Sequence, residues 1–382
     1  MQNCFLNYTA MSAAPFPTVK KVLLFRIPMS ICNFRCHYCY LAQRPVHYQG
    51  VQPEMKYSPE QVARALSTER VGGPAFMNFC ADGETLLTKD LDKYVKALVQ
   101  QGHYAEIVTN LSVTNALDKY LAWNKDLLER VEFKCSFHYL ELKKHNLLDR
   151  FADNVHKIWA AGASANIEIT PTDELIPYIE EVKAYSMREF GALPHLTIAR
   201  DDRTKGIDYL THLSQEAYRE TWSVFQSDFW EYKRSVFGKK QKRFCYAGAW
   251  SLYIDLTTGH ARQCYEGKDL GDVFADPDTE LPQSPIGRCP IAHCYNAHAL
   301  LTLGCIPHDS TIRYGDLRDR DSSRTDLNGG HWLRSDLKAF FNSQLKESNR
   351  EWPFGKKIRF YASFFPRKVY HRFIKSLWNS IR

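Results

Sequence analysis

Three cysteines near the start of the sequence, Cys32, Cys36 and Cys39, lie at CxxxCxxC spacing within residues 31–40. Thiolate is the ligand that iron–sulfur clusters use, and a short loop can turn three thiolates toward one face of a cubane cluster. Three protein ligands for four irons leave one iron open. The alternatives are a zinc site or a chance group of structural cysteines, but a zinc knuckle needs a further Cys or His beyond the loop, and His37 lies inside it.

The loop resembles the motif of the radical S-adenosylmethionine superfamily. That motif is CxxxCxxC with an aromatic residue before the last Cys, here Tyr38, and the local form CNxxCxYC is matched through Asn33. The resemblance implies a [4Fe–4S] cluster on Cys32, Cys36 and Cys39, whose open iron binds S-adenosylmethionine. It also implies an electron donor such as flavodoxin or ferredoxin, cleavage of S-adenosylmethionine to methionine and a 5′-deoxyadenosyl radical, and hydrogen abstraction from a substrate.

A second resemblance lies in the turn Asp82-Gly83-Glu84-Thr85. Members of the superfamily carry a GGEP-like turn at the end of the second strand, and its backbone binds the methionine amino group. Here Asp82 replaces the first Gly and Thr85 replaces the Pro, so the resemblance implies S-adenosylmethionine contacts from these four residues. Without the resemblance, the same residues would be an ordinary strand-to-helix turn capped by Asp82 or Thr85.

Two further positions resemble S-adenosylmethionine contacts of the superfamily. Thr109-Asn110 is similar to a TNG turn in which Leu111 replaces Gly, and Ser136 stands where relatives have a Ser that reaches the ribose hydroxyls. His138 replaces the Asp that usually follows that Ser. Polar residues on buried strands also serve structural roles, which is the alternative for Asn110 and Ser136.

More cysteines follow in the last third of the chain: Cys245, Cys264, Cys289, Cys294 and Cys305. The first two stand at opposite ends of a predicted β-hairpin that turns at residues 257–259. This arrangement resembles the opening half of SPASM and Twitch auxiliary-cluster domains, although the cysteines are too few for two clusters. The resemblance implies one auxiliary iron–sulfur cluster. A zinc site completed by His293 or His298 is the alternative.

The elements that must position these residues alternate between strand and helix. Ser58-Pro59-Glu60-Gln61 predicts a capping box that opens a helix. Short apolar runs recur at a spacing of about 30 residues, which is typical of βα units. The predicted strands are residues 22–27, 75–80, 106–109, 132–137, 166–170 and 195–199. They predict an α/β protein with a partial (βα)6 TIM-like barrel, in which chemistry lies on loops at the carboxyl ends of the strands.

The sequence predicts four segments. We expect an N-terminal extension over 1–20, the radical S-adenosylmethionine barrel over 21–235, a small Cys-rich α+β domain with the hairpin over 236–325, and a basic amphipathic tail over 326–382. Within that tail, apolar residues repeat at helical spacing among cations over 366–382. Such a helix would lie on an anionic membrane surface or dock on its own barrel.

Composition limits the classes of protein. Hydrophobic residues make up 44% of 382, enough for a sizeable core. Eleven cysteines without a signal-peptide pattern indicate reduced thiols in the cytoplasm, and no apolar run is long enough to span a bilayer. The net charge of +7 lies within residues 351–382, where eight Lys and Arg accompany one Glu, so the body of the chain does not look like a nucleic-acid surface.

The sequence does not select a substrate. Relatives with SPASM-type domains act on peptides, protein side chains and sugars, and we expect a substrate of one of these kinds. Two alternatives remain: a barrel that binds a cluster without turnover, and an RNA-modifying enzyme whose basic tail grips phosphates. No general acid or base can be assigned from the sequence.

Overall fold

A parallel sheet forms the body of the protein, and it is described by a computed structural model over residues 17–43, 49–204, 206–308, 310–326 and 328–363. Its first six strands are parallel neighbours in chain order. They are β1 Lys21–Ile27, β2 Ala75–Ala81, β3 Tyr104–Thr109, β4 Val131–Ser136, β5 Ser164–Ile169 and β6 His195–Leu196. The predicted α/β fold with a six-stranded TIM-like array is confirmed. The array is open, with β6 at one edge of the described sheet.

Helices connect these strands and cover the sheet. They are α1 Pro59–Ala65, α2 Thr68–Val71, α3 Leu91–Gln100, α4 Thr114–Leu121, α5 Lys125–Leu128, α6 Tyr139–Lys144, α7 Leu148–Ala161 and α8 Ile179–Phe190. The predicted capping box opens α1: the Ser58 hydroxyl accepts from the Gln61 amide, and the Gln61 side chain accepts from the Ser58 amide. The apolar face of α3, which includes Val95 and Leu98, is buried in the core against the sheet.

The predicted hairpin joins the barrel sheet. Two short strands, β7 Arg200–Asp201 and β8 Asp208–Tyr209, and two helices, α9 Gln215–Ser223 and α10 Asp228–Val236, precede it. The hairpin consists of β9 Ser251–Asp255 and β10 His260–Arg262, and β11 Asp269–Asp272 follows. Strand β9 pairs in parallel with β1, so the sheet order is β11-β10-β9-β1-β2-β3-β4-β5-β6. The Cys-rich region therefore extends the sheet that carries the first cysteine loop.

The C-terminal helices pack on the barrel. They are α11 Ala297–Thr302, α12 Tyr314–Arg318, α13 Ser335–Asn342, α14 Leu345–Ser348 and α15 Phe354–Ala362. Trp332, Phe340 and Leu345 are fully buried, so the segment predicted as a tail from residue 326 begins with core residues. The amphipathic pattern over 366–382 lies outside the described residues. No described helix combines the length and the apolar character that crossing a bilayer requires.

Candidate functional site

The first cysteine loop follows β1 directly. Cys36 is buried, whereas Cys32 and Cys39 are half-buried, and the Cys39 amide donates to the Cys36 carbonyl oxygen at 3.1 Å. Burial raises the pKa of the Cys32 thiol to about 11 and raises that of Cys36 further, and the thiols are close enough to add to each other's shift. Such a site favours neutral thiols until a metal centre replaces their protons.

Gly83 lies where the second strand's turn meets this loop. A Cβ atom at Gly83 would stand 2.2 Å from the Ile31 carbonyl oxygen and 2.9 Å from the Met29 carbonyl oxygen, both backbone atoms. The next amide, that of Glu84, donates to the Ile31 oxygen at 2.9 Å. The turn and the loop are therefore in direct backbone contact, which requires glycine at position 83.

Glu84 connects the turn to the end of β3. Its side chain is 3% exposed, and it accepts from the Thr109 hydroxyl and from the Asn110 amide, the latter at 2.7 Å. The Asn110 side chain donates in turn to the Asn33 side chain at 2.9 Å, inside the cysteine loop. Leu111 has φ +55°, a left-handed conformation that favours glycine. One buried network thus holds three of the sequence motifs in place.

Tyr38 and His138 form the link to β4. The Tyr38 hydroxyl and His138 Nδ1 are 2.7 Å apart, and Phe34 packs edge-on to the His138 ring. Burial lowers the pKa of His138 to about 4, so the imidazole is neutral at neutral pH, and its Nδ1 can accept a hydrogen bond from the Tyr38 hydroxyl in the Nε2–H tautomer. The pair thus fixes Tyr38, the residue before the last cysteine of the loop, against His138, which lies two positions beyond Ser136.

These elements enclose one cavity of about 370 Å³. Among the predicted site residues, those that line it are Cys32, Cys36, Cys39, Gly83, Glu84, Thr85, Asn110, Ser136 and Cys294. Asp82 is not among the lining residues, because its carboxylate pairs with the Arg26 guanidinium on β1. The cavity thus brings the first cysteine loop together with both turns and with β4.

The inner face of the barrel also carries charged residues that the sequence analysis missed. Arg318 is fully buried, and its guanidinium donates to Glu132 at 2.9 Å and to Glu168, with Glu106 at 3.5 Å. Lys134 lies 3.0 Å from Glu168. Burial raises the pKa of Glu132 to about 7, whereas the surrounding cations hold the pKa of Glu168 well below its usual range although burial opposes them.

One signal in the sequence would have found part of this set. Glu132, Lys134 and Ser136 alternate along β4, so they share the inward face of the strand. Three polar residues on a face that should be apolar indicate a lined cavity. The partner Arg318 lies far along the chain, and nothing in its neighbourhood indicates that it enters the barrel.

The later cysteines gather around Cys245. Electrostatic interactions with Cys245 raise the pKa of Cys264, Cys289 and Cys294, in each case less than burial does, and the pKa of Cys294 rises to about 12. Cys305 is fully buried and is also within hydrogen-bond reach of Cys245, while its thiol lies 3.3 Å from the Ser251 hydroxyl on β9. All five cysteines are thus brought to one region, with Cys305 on its buried side.

A zinc site holds its sulfur ligands close together. Zinc–sulfur bonds of about 2.3 Å place the sulfurs of a tetrahedral site roughly 3.8 Å apart. Within the described part of the chain, no three cysteine sulfurs all lie within 4.8 Å of one another; the group of possible ligand atoms that does so is Asp319, Asp321 and His331. The His331 ring already pairs with both of those carboxylates. No three described cysteine sulfurs therefore have the close spacing of ligands on one zinc ion, although Cys245 and Cys305 are within hydrogen-bond reach of each other.

Comparison with known proteins gives a structural likeness only. No family model matches the sequence, and no curated protein matches it. Among solved structures, a hexahistidine-tagged anSMEcpe with bound AdoMet is 13% identical, with a TM-score of 0.50 over 91% of this chain and 97% of that one. Streptococcus suis SuiB bound to S-adenosylmethionine is 13% identical, with a TM-score of 0.46 over 68% of this chain and 64% of that chain.

This chain thus spans less than two thirds of SuiB. The likeness to anSMEcpe extends over 91% of this chain and 97% of that one. At this level of identity the likeness concerns the fold. The likeness therefore shows a shared fold, in agreement with the partial TIM-like barrel that the strand spacing predicts.

Proposed function

We propose that this protein is a radical S-adenosylmethionine enzyme, which cleaves S-adenosylmethionine reductively and abstracts hydrogen from a substrate in the same cavity. The observation that carries the proposal is the cavity itself. Its wall combines the three thiols of the CxxxCxxC loop with the Gly83 turn, the Asn110 turn and Ser136. The donor set fits a [4Fe–4S] cluster, because three thiols face one space and leave a fourth ligand position to a bound molecule.

The cluster held by the first cysteine loop would supply the electron that breaks a carbon–sulfur bond of S-adenosylmethionine. The chain's own residues bind and orient. The Gly83 turn offers backbone groups to the methionine end, and Glu84 holds the Asn110 turn rigid beneath it. Ser136 offers a hydroxyl to the ribose. The buried Phe34 and the Tyr38–His138 pair keep water from this end of the cavity.

Anaerobic turnover tests the proposal. Reconstituted protein with reductant should convert S-adenosylmethionine to 5′-deoxyadenosine, and the variant with Cys32, Cys36 and Cys39 changed to Ala should not. Cys135→Ala is the matched control, because Cys135 is a buried cysteine on β4 that does not line the cavity, and it should retain production. Equal production by the triple variant and the wild type would refute the proposal. A reducible cluster without 5′-deoxyadenosine would indicate a barrel without turnover.

We also propose an auxiliary [4Fe–4S] cluster held by Cys245, Cys264, Cys289 and Cys294. The electrostatic interactions among these four cysteines support it, because they place the thiols in one region, and a complete four-thiol shell would leave no open iron. Cys305, on the buried side of Cys245, is the alternative fourth ligand.

Metal analysis distinguishes these arrangements. The triple variant of the first loop should keep about four irons and four sulfides per chain. In that background Cys264→Ser should lower the iron content, whereas Cys305→Ser should not. One zinc and no iron would overturn the auxiliary cluster, and iron loss on Cys305→Ser alone would assign Cys305 as the ligand.

The remaining expectations concern partners. We propose a reduced flavodoxin or ferredoxin as electron donor, a peptide, protein side chain or sugar as substrate, and a cytoplasmic location. We further propose a peripheral contact with anionic membrane. Helix α15 supports the contact because Phe354 is 79% and Ile358 49% exposed, one turn apart, next to Lys356 and Arg359.

A further inference from the structure

Two lysines from different parts of the chain line the inner end of the cavity. Lys134 projects from β4 and Lys233 from α10, and both are among the lining residues. The Lys134 ammonium lies 3.0 Å and the Lys233 ammonium 3.5 Å from the Glu168 carboxylate, and Lys233 also donates to the Thr197 hydroxyl at 2.8 Å. Lys134 precedes Ser136 by two residues and so shares its face of β4.

The carboxylates around these lysines already have donors. Glu168 receives Arg318 in addition to the two ammonium groups. Two other carboxylates line the cavity: Glu106 accepts from the Asn78 amide and the Tyr314 hydroxyl, and Glu84 accepts from the Thr109 hydroxyl and the Asn110 amide. A cationic ligand would therefore compete with protein donors for any of these carboxylates.

The ammonium groups have donors to spare. Each carries three N–H groups, and the described contacts with Glu168 and Thr197 use one on Lys134 and two on Lys233. The free hydrogen-bonding capacity at this end of the cavity thus consists of N–H donors on the two lysines, of which Lys233 has its pKa lowered by burial to about 7. A buried donor without an acceptor is costly, so the arrangement fits a ligand that brings acceptor oxygens.

We propose that Lys134 and Lys233 form a subsite for an anionic oxygen group of the substrate, either a carboxylate or a phosphate. The inference rests on the proposed function, since it places the substrate in the cavity that would bind S-adenosylmethionine. Three cations and three carboxylates make this group of residues formally neutral. Burial raises the pKa of Glu132 to about 7 and lowers that of Lys233 to about 7, so either group can take up a proton when an anion enters, and the added charge is compensated.

Chemical labelling of lysines tests the subsite without turnover. The full-length protein is treated with an amine-reactive acetyl ester, and the labelling rate of each lysine is read by mass spectrometry. The probes are inorganic phosphate, glutarate and the neutral molecule glycerol, at constant ionic strength. Phosphate or glutarate should slow the labelling of Lys134 and Lys233 but not that of the exposed Lys119 on α4, and glycerol should slow none of them. Protection by only one of the two anions identifies the group as phosphate or carboxylate.

Paired variants separate binding from mere packing. Lys134→Met should raise the probe concentration that half-protects Lys233 by roughly tenfold or more, because a charge-assisted hydrogen bond is lost, whereas Lys134→Arg should largely retain protection. Unfolding curves of both variants show whether each is folded. The subsite is wrong if neither anion protects the two lysines, or if glycerol protects them equally. Because no S-adenosylmethionine is present, such a failure is separate from a failure to form 5′-deoxyadenosine.

Discussion

Substitution of Gly83 by Ala tests whether the turn and the cysteine loop act as one unit. The added Cβ would lie 2.2 Å from the Ile31 carbonyl oxygen, where contacts under 3.0 Å essentially never occur, so the loop must move by about 1 Å. Overpacking of this kind costs about 1–3 kcal/mol, and loss of the hydrogen bond from the Glu84 amide to Ile31 adds about 1 kcal/mol. We expect the free energy of unfolding to fall by about 2–4 kcal/mol.

The displaced Ile31 adjoins Cys32, so the change reaches the cluster loop and the cavity together. A misplacement of about 1 Å can cost roughly a hundredfold in rate, and we expect a loss of that order in 5′-deoxyadenosine formation. Anaerobic urea unfolding and the turnover assay measure the two effects. Gly355→Ala in α15 is the matched control, because a Cβ there meets nothing within 4 Å. Wild-type stability and turnover in Gly83→Ala would refute the reasoning.

Two further predictions concern the barrel interior and the surface of α15. Arg318→Met should lower the free energy of unfolding by about 3–5 kcal/mol, since it leaves buried carboxylates without this cation. The control Arg334→Met removes a partly exposed ion pair and should lower it by under about 1 kcal/mol. Equal losses of the two variants in urea unfolding would contradict this. The double variant Phe354→Ser/Ile358→Ser should co-sediment less with vesicles that contain phosphatidylglycerol. The control Met187→Ser, which also replaces an exposed apolar residue on a helix, should co-sediment as the wild type does. Unchanged sedimentation of the double variant would exclude α15 from the membrane contact.

The order of the barrel strands could be predicted because each βα unit carries its own local signals. The capping box at Ser58 and the turn at Gly259 each depend on a few neighbouring residues, and both occur as expected. The pairing of β9 with β1 could not be predicted in the same way. It joins strands more than two hundred residues apart, and an apolar run such as β9 does not indicate which edge it extends.

The candidate site divides along the same line. The cysteine loop, the Gly83 turn and Ser136 are short motifs that the family resemblance singles out, and the fold brings them to one cavity. The left-handed conformation of Leu111 was not predictable, because a Leu at that position carries an energetic cost that only the surrounding network offsets. The charged inner end of the cavity depends on Arg318, which is close to Glu132 and Glu168 in space but far from them in the sequence.

That inner end bears on what the cavity can accept. The interior of a TIM barrel is typically filled by layers of branched apolar side chains. Here β3, β4 and β5 instead carry Glu106, Glu132, Lys134 and Glu168 inward, and a fully buried Arg318 neutralises the carboxylates. Burying so many charges is costly, and apolar replacements of similar volume are often as stable. The charges are therefore better explained by recognition than by stability, as the proposed anion subsite at Lys134 and Lys233 requires.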